Sequence, residues 1–171
     1  TTDNTGPAVI LHVLHSFSGQ IPSFLNGKKT ILPAGSDAEK VEFLPPLGMV
    51  NVYHVGHPEP VTMPLYFPGI QEVTLKGGIN EDVFNKLVLL ANRLGLTKKE
   101  SMRNHLTSLF QKSLPLLRKI INRDADLSGI RVDVFGELHG RAEQLTYSAV
   151  GPMDLLTSLP FVLGIDLLAQ G

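Results

Sequence analysis

The segment VYHVGHPEPVTMP, Val52 to Pro64, concentrates side chains that can do chemistry. His54 and His57 are spaced i, i+3, Gly56 and Pro58 fix a turn around them, and Glu59 and Thr62 follow at once. An imidazole and a carboxylate can hold or pass a proton, and a hydroxyl can orient a polar ligand, provided stiff backbone holds all three. The segment therefore reads as a substrate-binding or acid–base loop. The same residues also suit a structural turn whose histidines satisfy backbone groups. His12 and His15 repeat the i, i+3 spacing. Two such pairs with Glu59 would supply ligands for a metal hydrolase site. Neither pair sits in an HExxH context, however, so ordinary surface or core histidines fit as well and no metal is expected. In LTSLP, Leu156 to Pro160, Thr157 and Ser158 would offer hydroxyls and helix-terminal N–H groups to an anion such as a carboxylate, or simply pack and cap. The run Ser16-Phe17-Ser18-Gly19 suggests a nucleophile only superficially, since no partner can be placed beside it. His105 and His139 read as solvent-facing, and Lys98-Lys99 and Arg118-Lys119 as solvated faces.

What is missing narrows the chemistry further. The chain has no GxGxxG, no GxxxxGK[ST] and no GxSxG, so it cannot build a Rossmann-type nucleotide site. It has no cysteine, which removes thiolate chemistry and Cys-ligated zinc and fits a reducing, cytoplasmic compartment. A net charge of −1 over 171 residues argues against nucleic acid as the partner. With 43% hydrophobic and 18% charged residues, the chain reads as one soluble globular domain, 1–171. No uninterrupted run of 18 apolar residues occurs, so no membrane partner is expected. The start TTDNTGPAVI has neither a basic region nor an initiator Met; it is expected to be no signal peptide, and the chain to be processed or cut from something longer.

The elements that must position these groups follow from spacing. Pro7 to Phe17 reads as a helix. Asn26-Gly27 predicts a tight hairpin joining Ile21–Leu25 to Lys29–Leu32. Short strands are expected at Val41–Phe43 and Met49–Val55, the latter alternating Val50, Val52 and His54 against Asn51, Tyr53 and Val55. Pro58, Pro60, Pro64 and Pro68 argue for an extended, stiff loop rather than a helix. Ile70–Leu75 reads as a strand. A helical insertion at about 80–122 then begins. Asn80 caps a helix whose apolar face holds Val83, Phe84, Leu87, Val88, Ala91 and Leu94, and Gly95 stops it. Thr97 to Glu100 has capping-box spacing and opens a second helix, which Pro115 would kink or divide. After a DADLSG loop, IRVDVFGEL and AEQLTYSAV form a hairpin around His139-Gly140. Met153 to Gln170 reads as a very apolar helix, expected to be mostly buried. The order implies an α+β fold: a mixed or antiparallel sheet covered by helices on one face, with no Rossmann domain.

LHSFSGQIP, NGKK, VEFLPPLGMVNVYHVGHPEPVTMP and LKGG together resemble the saccharopine dehydrogenase/reductase-like oxidoreductases, in the domain that follows their Rossmann domain. The distinctive stretch F-x-x-P-x-G-x-V-x-V-Y-x-x-G-H-P-E-P-x-T-x-P runs from Phe43 to Pro64. The ending from Arg131 to Gly171 is similar to the family's return hairpin and a helix of T-G-x-P type, with Ser158 in place of Gly. The resemblance covers about Leu11–Gly78 and Gly129–Gly171, and the G-x-x-P-G segment that opens this domain in the family is missing. It implies a two-domain enzyme that transfers a hydride at a C–N bond of an amino-acid-derived substrate. NAD or NADP would sit on a Rossmann domain, in cis or in trans, that is not in this chain. His57, Glu59, Thr62 and Thr157 would border the substrate cleft, with no general acid or base assigned among them. Alone, the chain would be inactive. The alternative is a non-catalytic homodimeric ligand-binding or assembly module of the same fold.

Overall fold

The computed structural model describes residues 7–79, 82–121 and 127–171. The α+β class holds, but among the described residues the strands form three small antiparallel sheets rather than one sheet under a helical layer. The chain packs as two compact units. Thr1–Lys40 with Asn51–Asn122 make the first, and Val41–Val50 with Arg123–Gly171 the second.

In the first unit, helix α1 (Pro7–Ser16) opens with proline, whose missing N–H costs nothing in a first turn. Strands β1 (Gln20–Leu25) and β2 (Lys28–Pro33) pair antiparallel with Leu25 opposite Lys28. Asn26 and Gly27 both take positive φ, 52° and 71°, which is what a two-residue turn between twisted strands requires. Strand β3 (Glu39–Glu42) leads out of this unit, and β4 (Met49–His54) leads back in. Val52, Tyr53, His54 and Val55 are all buried, so β4 is covered on both faces and its alternation carries no inside–outside meaning.

The proline-rich loop expected after β4 is instead a helix, α2 (Glu59–Tyr66), with Pro58 at its N-cap. Pro58 and Pro60 sit where amides have no intrahelical partner, so they start the helix rather than prevent it. Pro64 falls in the last turn, and the helix stops within two residues of it. The strand expected at Ile70–Leu75 is mostly irregular. Val73 makes a single bridge to Phe24, and only Lys76–Gly77 form a strand, β5, antiparallel to β4.

Helix α3 (Asp82–Arg93) and helix α4 (Glu100–Ile121) belong to the same unit and help to build its core. Leu14, Phe17, Tyr53, Val55 and Val88 form that core, with Ile10, Val13, Leu75, Leu89, Leu106 and Phe110 packed against it. The buried stripe of α3 is Phe84, Val88 and Ala91, whereas Val83, Leu87 and Leu94 are exposed. Gly95, at φ 73°, closes α3 in a Schellman motif, with Leu96 N–H on the Ala91 carbonyl and Gly95 N–H on that of Asn92. The expected capping box is absent. Thr97 is fully buried and donates to Asn92 Oδ1 at 3.0 Å, while the Lys99 carbonyl accepts the first bonds of α4. The helix runs undivided past position 115. The N-cap expected at Asn80 and the start of the DADLSG loop lie outside the described residues.

The second unit is built on the predicted hairpin, strands β6 (Leu127–Leu138) and β7 (Arg141–Pro152), turning at His139 and Gly140 with φ 53° and 77°. Gly129 lies against Phe43 and Leu47, since a Cβ there would stand 2.6 and 2.8 Å from their side chains. Arg131 binds Asp133 with two parallel hydrogen bonds, 2.9 and 3.1 Å, and reaches the Glu42 carbonyl at 2.8 Å. Thr146 donates across the hairpin to Asp133 at 2.6 Å. Bonds from Arg131 first, then Thr146, hold the Asp133 carboxyl below its ordinary 3.8. A depressed carboxyl contributes stability that is present above 3.8 and lost as pH falls through the lower folded value. Asp133→Asn is expected to cost about 0.5–1.5 kcal/mol at neutral pH and to flatten this acid dependence. Amide exchange of β6 and β7 against pH checks both.

Helix α5 (Met153–Gln170) overturns the expectation of burial. Leu156 is its one buried residue, while Phe161, Leu167 and Leu168 are exposed by 71, 69 and 85%. Its two acids, Asp154 and Asp166, are its charged residues, and Thr157, Ser158 and Gln170 its other polar side chains. By length and composition alone, α5 is long and apolar enough to cross a membrane, although its apolar residues form no unbroken run. A helix covered by other protein passes the same test.

Candidate functional site

His57 and Glu59 meet. His57 Nδ1 lies 2.5 Å from Glu59 Oε2, with both side chains partly exposed, 35 and 41%. The local sequence explains the contact. β4 ends at His54, and Gly56 turns the chain close under β1, where a Cβ would stand 2.9 Å from Ile21 Cγ2. Pro58 then starts α2, so His57 precedes the helix and Glu59 opens it. A carboxylate only accepts hydrogen bonds, so Nδ1 carries the proton and Nε2 is left free to act.

His57 lines an open depression of about 480 Å³ in the first unit. The end of α1 supplies His15 and the turn after it Ser18, β1 supplies Gln20, Ile21 and Pro22, and α2 supplies Val61 and Thr62. Thr62 thus joins the site as expected, with its hydroxyl donating to the Pro58 carbonyl at 3.1 Å. Glu59 acts from behind His57 rather than in the wall. Thr157 lies on α5 in the second unit, where its hydroxyl donates to the Met153 and Asp154 carbonyls at 2.9 and 3.1 Å. Those bonds tie its hydrogen to its own helix. Sequence spacing missed His15, Ser18 and Gln20 as wall residues. The signal was present in LHSFSGQIP, but it became legible only once the β1–β2 hairpin folded that segment beside Gly56.

The HxxH pairs separate. His54 is buried, and its Nε2 stands 3.4 Å from Asp37 Oδ2. Asp37 also receives Lys76 Nζ at 2.6 Å, and Glu39 receives the same ammonium at 2.8 Å. The hydrogen bond and charge of Lys76 hold the Asp37 carboxyl below 3.8. Burial alone would lower Lys76, but its bonds to Asp37 and Glu39 outweigh that and raise it above 10.5. This cluster ties β5 to the loop before β3. His57 instead neighbours His12, ring centroids 6.0 Å apart and edge-on, and His12 Nε2 stands 3.5 Å from Ser16 Oγ. Among the described residues, no three His, Cys, Asp or Glu side chains gather to hold a metal ion.

The described residues hold no βαβ crossover. Pyrophosphate binding of Rossmann type needs a βαβ crossover and amide donors at the start of a helix. The sheets here are antiparallel, and the turn nearest the site enters α2 through Pro58 and Pro60, which have no N–H to donate. The depression thus places the His57 imidazole beside the Thr62 and Ser18 hydroxyls in an open wall of polar and aliphatic side chains. Compared with protein-family models and with curated proteins, the chain matches none.

Proposed function

We propose that this chain is the substrate-side part of a saccharopine dehydrogenase-like, NAD(P)-dependent oxidoreductase acting on a C–N bond of an amino-acid-derived substrate, and that it is inactive alone. The observation that carries the reading is the His57–Glu59 pair at the edge of an open depression, within the stretch from Phe43 to Pro64 that bears the resemblance. NAD or NADP would be bound by a Rossmann domain in cis or in trans, and the enzyme would work in the cytoplasm. The exposed apolar surface of the second unit supports a missing protein neighbour, since soluble surfaces rarely leave so much apolar area uncovered. That same surface favours the second reading, a homodimeric ligand-binding or assembly module.

Expression of the longest reading frame that contains residues 1–171 tests the choice. The expected product carries a GxGxxG segment, binds NAD(P)H and reduces the nicotinamide in the presence of an amino-acid-derived amine. The 171-residue chain alone is expected to give no turnover and no thermal shift with NAD(P)H. A frame without such a segment, with no dinucleotide-binding polypeptide co-purifying, overturns the oxidoreductase reading. A concentration-dependent dimer of that product would then favour the second.

A further inference from the structure

We infer that the depression beside His57 is an amine site, in which His57 Nε2 accepts the hydrogen bond and then the proton of a ligand ammonium. The inference deepens the proposed function and rests on it only for what the amine is used for. It stands on where the hydrogens of the wall have gone. The Ser18 hydroxyl donates to the Leu14 carbonyl, and the Thr62 hydroxyl donates to the Pro58 carbonyl at 3.1 Å. His57 Nδ1–H is committed to Glu59 at 2.5 Å. All three groups line the depression with their hydrogens engaged elsewhere, so what they present is lone pairs: two hydroxyl oxygens and Nε2.

Lone pairs call for an N–H donor. The charge around the site points the same way. No Lys or Arg is among the lining residues, the other titratable side chain of the wall, His15, can turn a ring lone pair inward, and the Glu59 carboxylate stands directly behind His57. A ligand carboxylate placed against the same atoms would meet lone pairs and a like charge. Gln20 adapts to this arrangement, because its amide can turn its oxygen inward, and Ile21 offers an aliphatic side to a methylene chain. Proton transfer is balanced within the site. The ammonium N–H bond breaks, the Nε2–H bond forms, and the imidazolium remains paired with Glu59. The ligand is left as a neutral amine with its lone pair free. Glu59 is a positioning residue, since it acts through His57.

Nitrogen-detected NMR of the histidine rings in the full chain tests this, with L-glutamate, n-butylamine and glutarate as probes. Glutamate and butylamine are expected to shift the His57 Nε2 resonance, while glutarate, which lacks the amine, leaves it in place. His57→Phe, checked for an unchanged melting transition, is expected to weaken amine binding about tenfold or more. His57→Gln keeps an acceptor and should retain part of it. Glu59→Gln should weaken binding several-fold and release the Nδ1–H tautomer, a ring-nitrogen signature that lost packing alone would not produce. Glutarate binding as well as glutamate, no His57 response to either amine, or full amine affinity in His57→Phe each overturns the inference. Amine binding by a product with no dinucleotide-binding partner would leave it standing and remove the oxidoreductase reading. A working dehydrogenase whose His57→Phe variant keeps its amine affinity would do the reverse.

Discussion

Gly78→Ala is expected to destabilise the first unit by about 3 kcal/mol or more, and with it the ligand response of His57. A Cβ at position 78 would stand 2.2 Å from the Asn51 carbonyl oxygen, 3.3 Å from its carbon and 3.4 Å from Val52 Cα. These are backbone atoms of β4, so no side chain can rotate away to relieve the clash. Either β5 leaves β4 or β4 itself shifts. Loss of β5 would unpair Tyr53–Gly77 and His54–Lys76 and withdraw Lys76 from Asp37 and Glu39. A shift of β4 would move Gly56 and His57, which follow directly from its end. Chemical denaturation gives the size of the effect, and amide exchange at Tyr53 and Val55 shows where it falls. Gly136→Ala is the control: a Cβ there meets nothing within 4 Å, so the change should stay within about 0.5 kcal/mol. A Gly78→Ala variant as stable as that control would mean β5 is not held against β4.

The two hairpins were legible because their turns are chemical statements. Asn26-Gly27 and His139-Gly140 each put two adjacent residues at positive φ, and the flanking strands follow in register. The Gly95 stop was legible for the same reason. The proline-rich segment misled because the breaking rule applies to helix interiors, whereas Pro58 and Pro60 sit at a start. Thr97 misled because its hydroxyl had a better partner, Asn92, than the amides of α4. The burial of α5 was inferred from composition, which records that a helix needs cover but not that the cover lies within the same chain. At the candidate site, His57, Glu59 and Thr62 were legible because they stand close together in one proline-stiffened segment. His15, Ser18 and Gln20 reach the wall through long-range packing that no local spacing encodes.

Leu14→Ala is expected to cost the first unit about 2–5 kcal/mol, because the side chain is almost fully enclosed and its neighbours have little room to collapse. Leu14 is 1% exposed and packs with Phe17, Tyr53, Val55 and Val88, where α1, β4 and α3 meet. The damage should not be uniform. The Leu14 carbonyl holds the Ser18 hydroxyl, and His15 is the next residue, so one wall of the depression depends on α1 being seated. His57 and Glu59 bond to each other across two residues and start their own helix, so their contact should outlast that wall. Amine binding should therefore weaken while the His57 Nδ1–H tautomer persists. Leu168→Ala supplies the contrast on α5. That leucine is 85% exposed, and its truncation should change stability by less than about 0.5 kcal/mol in the isolated chain. The same substitution in the full-length product or in a dimer should then cost what a buried leucine costs, and the difference between the two measurements reads out how much of α5 a neighbour covers. Equal, small effects in both settings would mean that α5 stays bare, and would remove the support its surface lends to a protein partner.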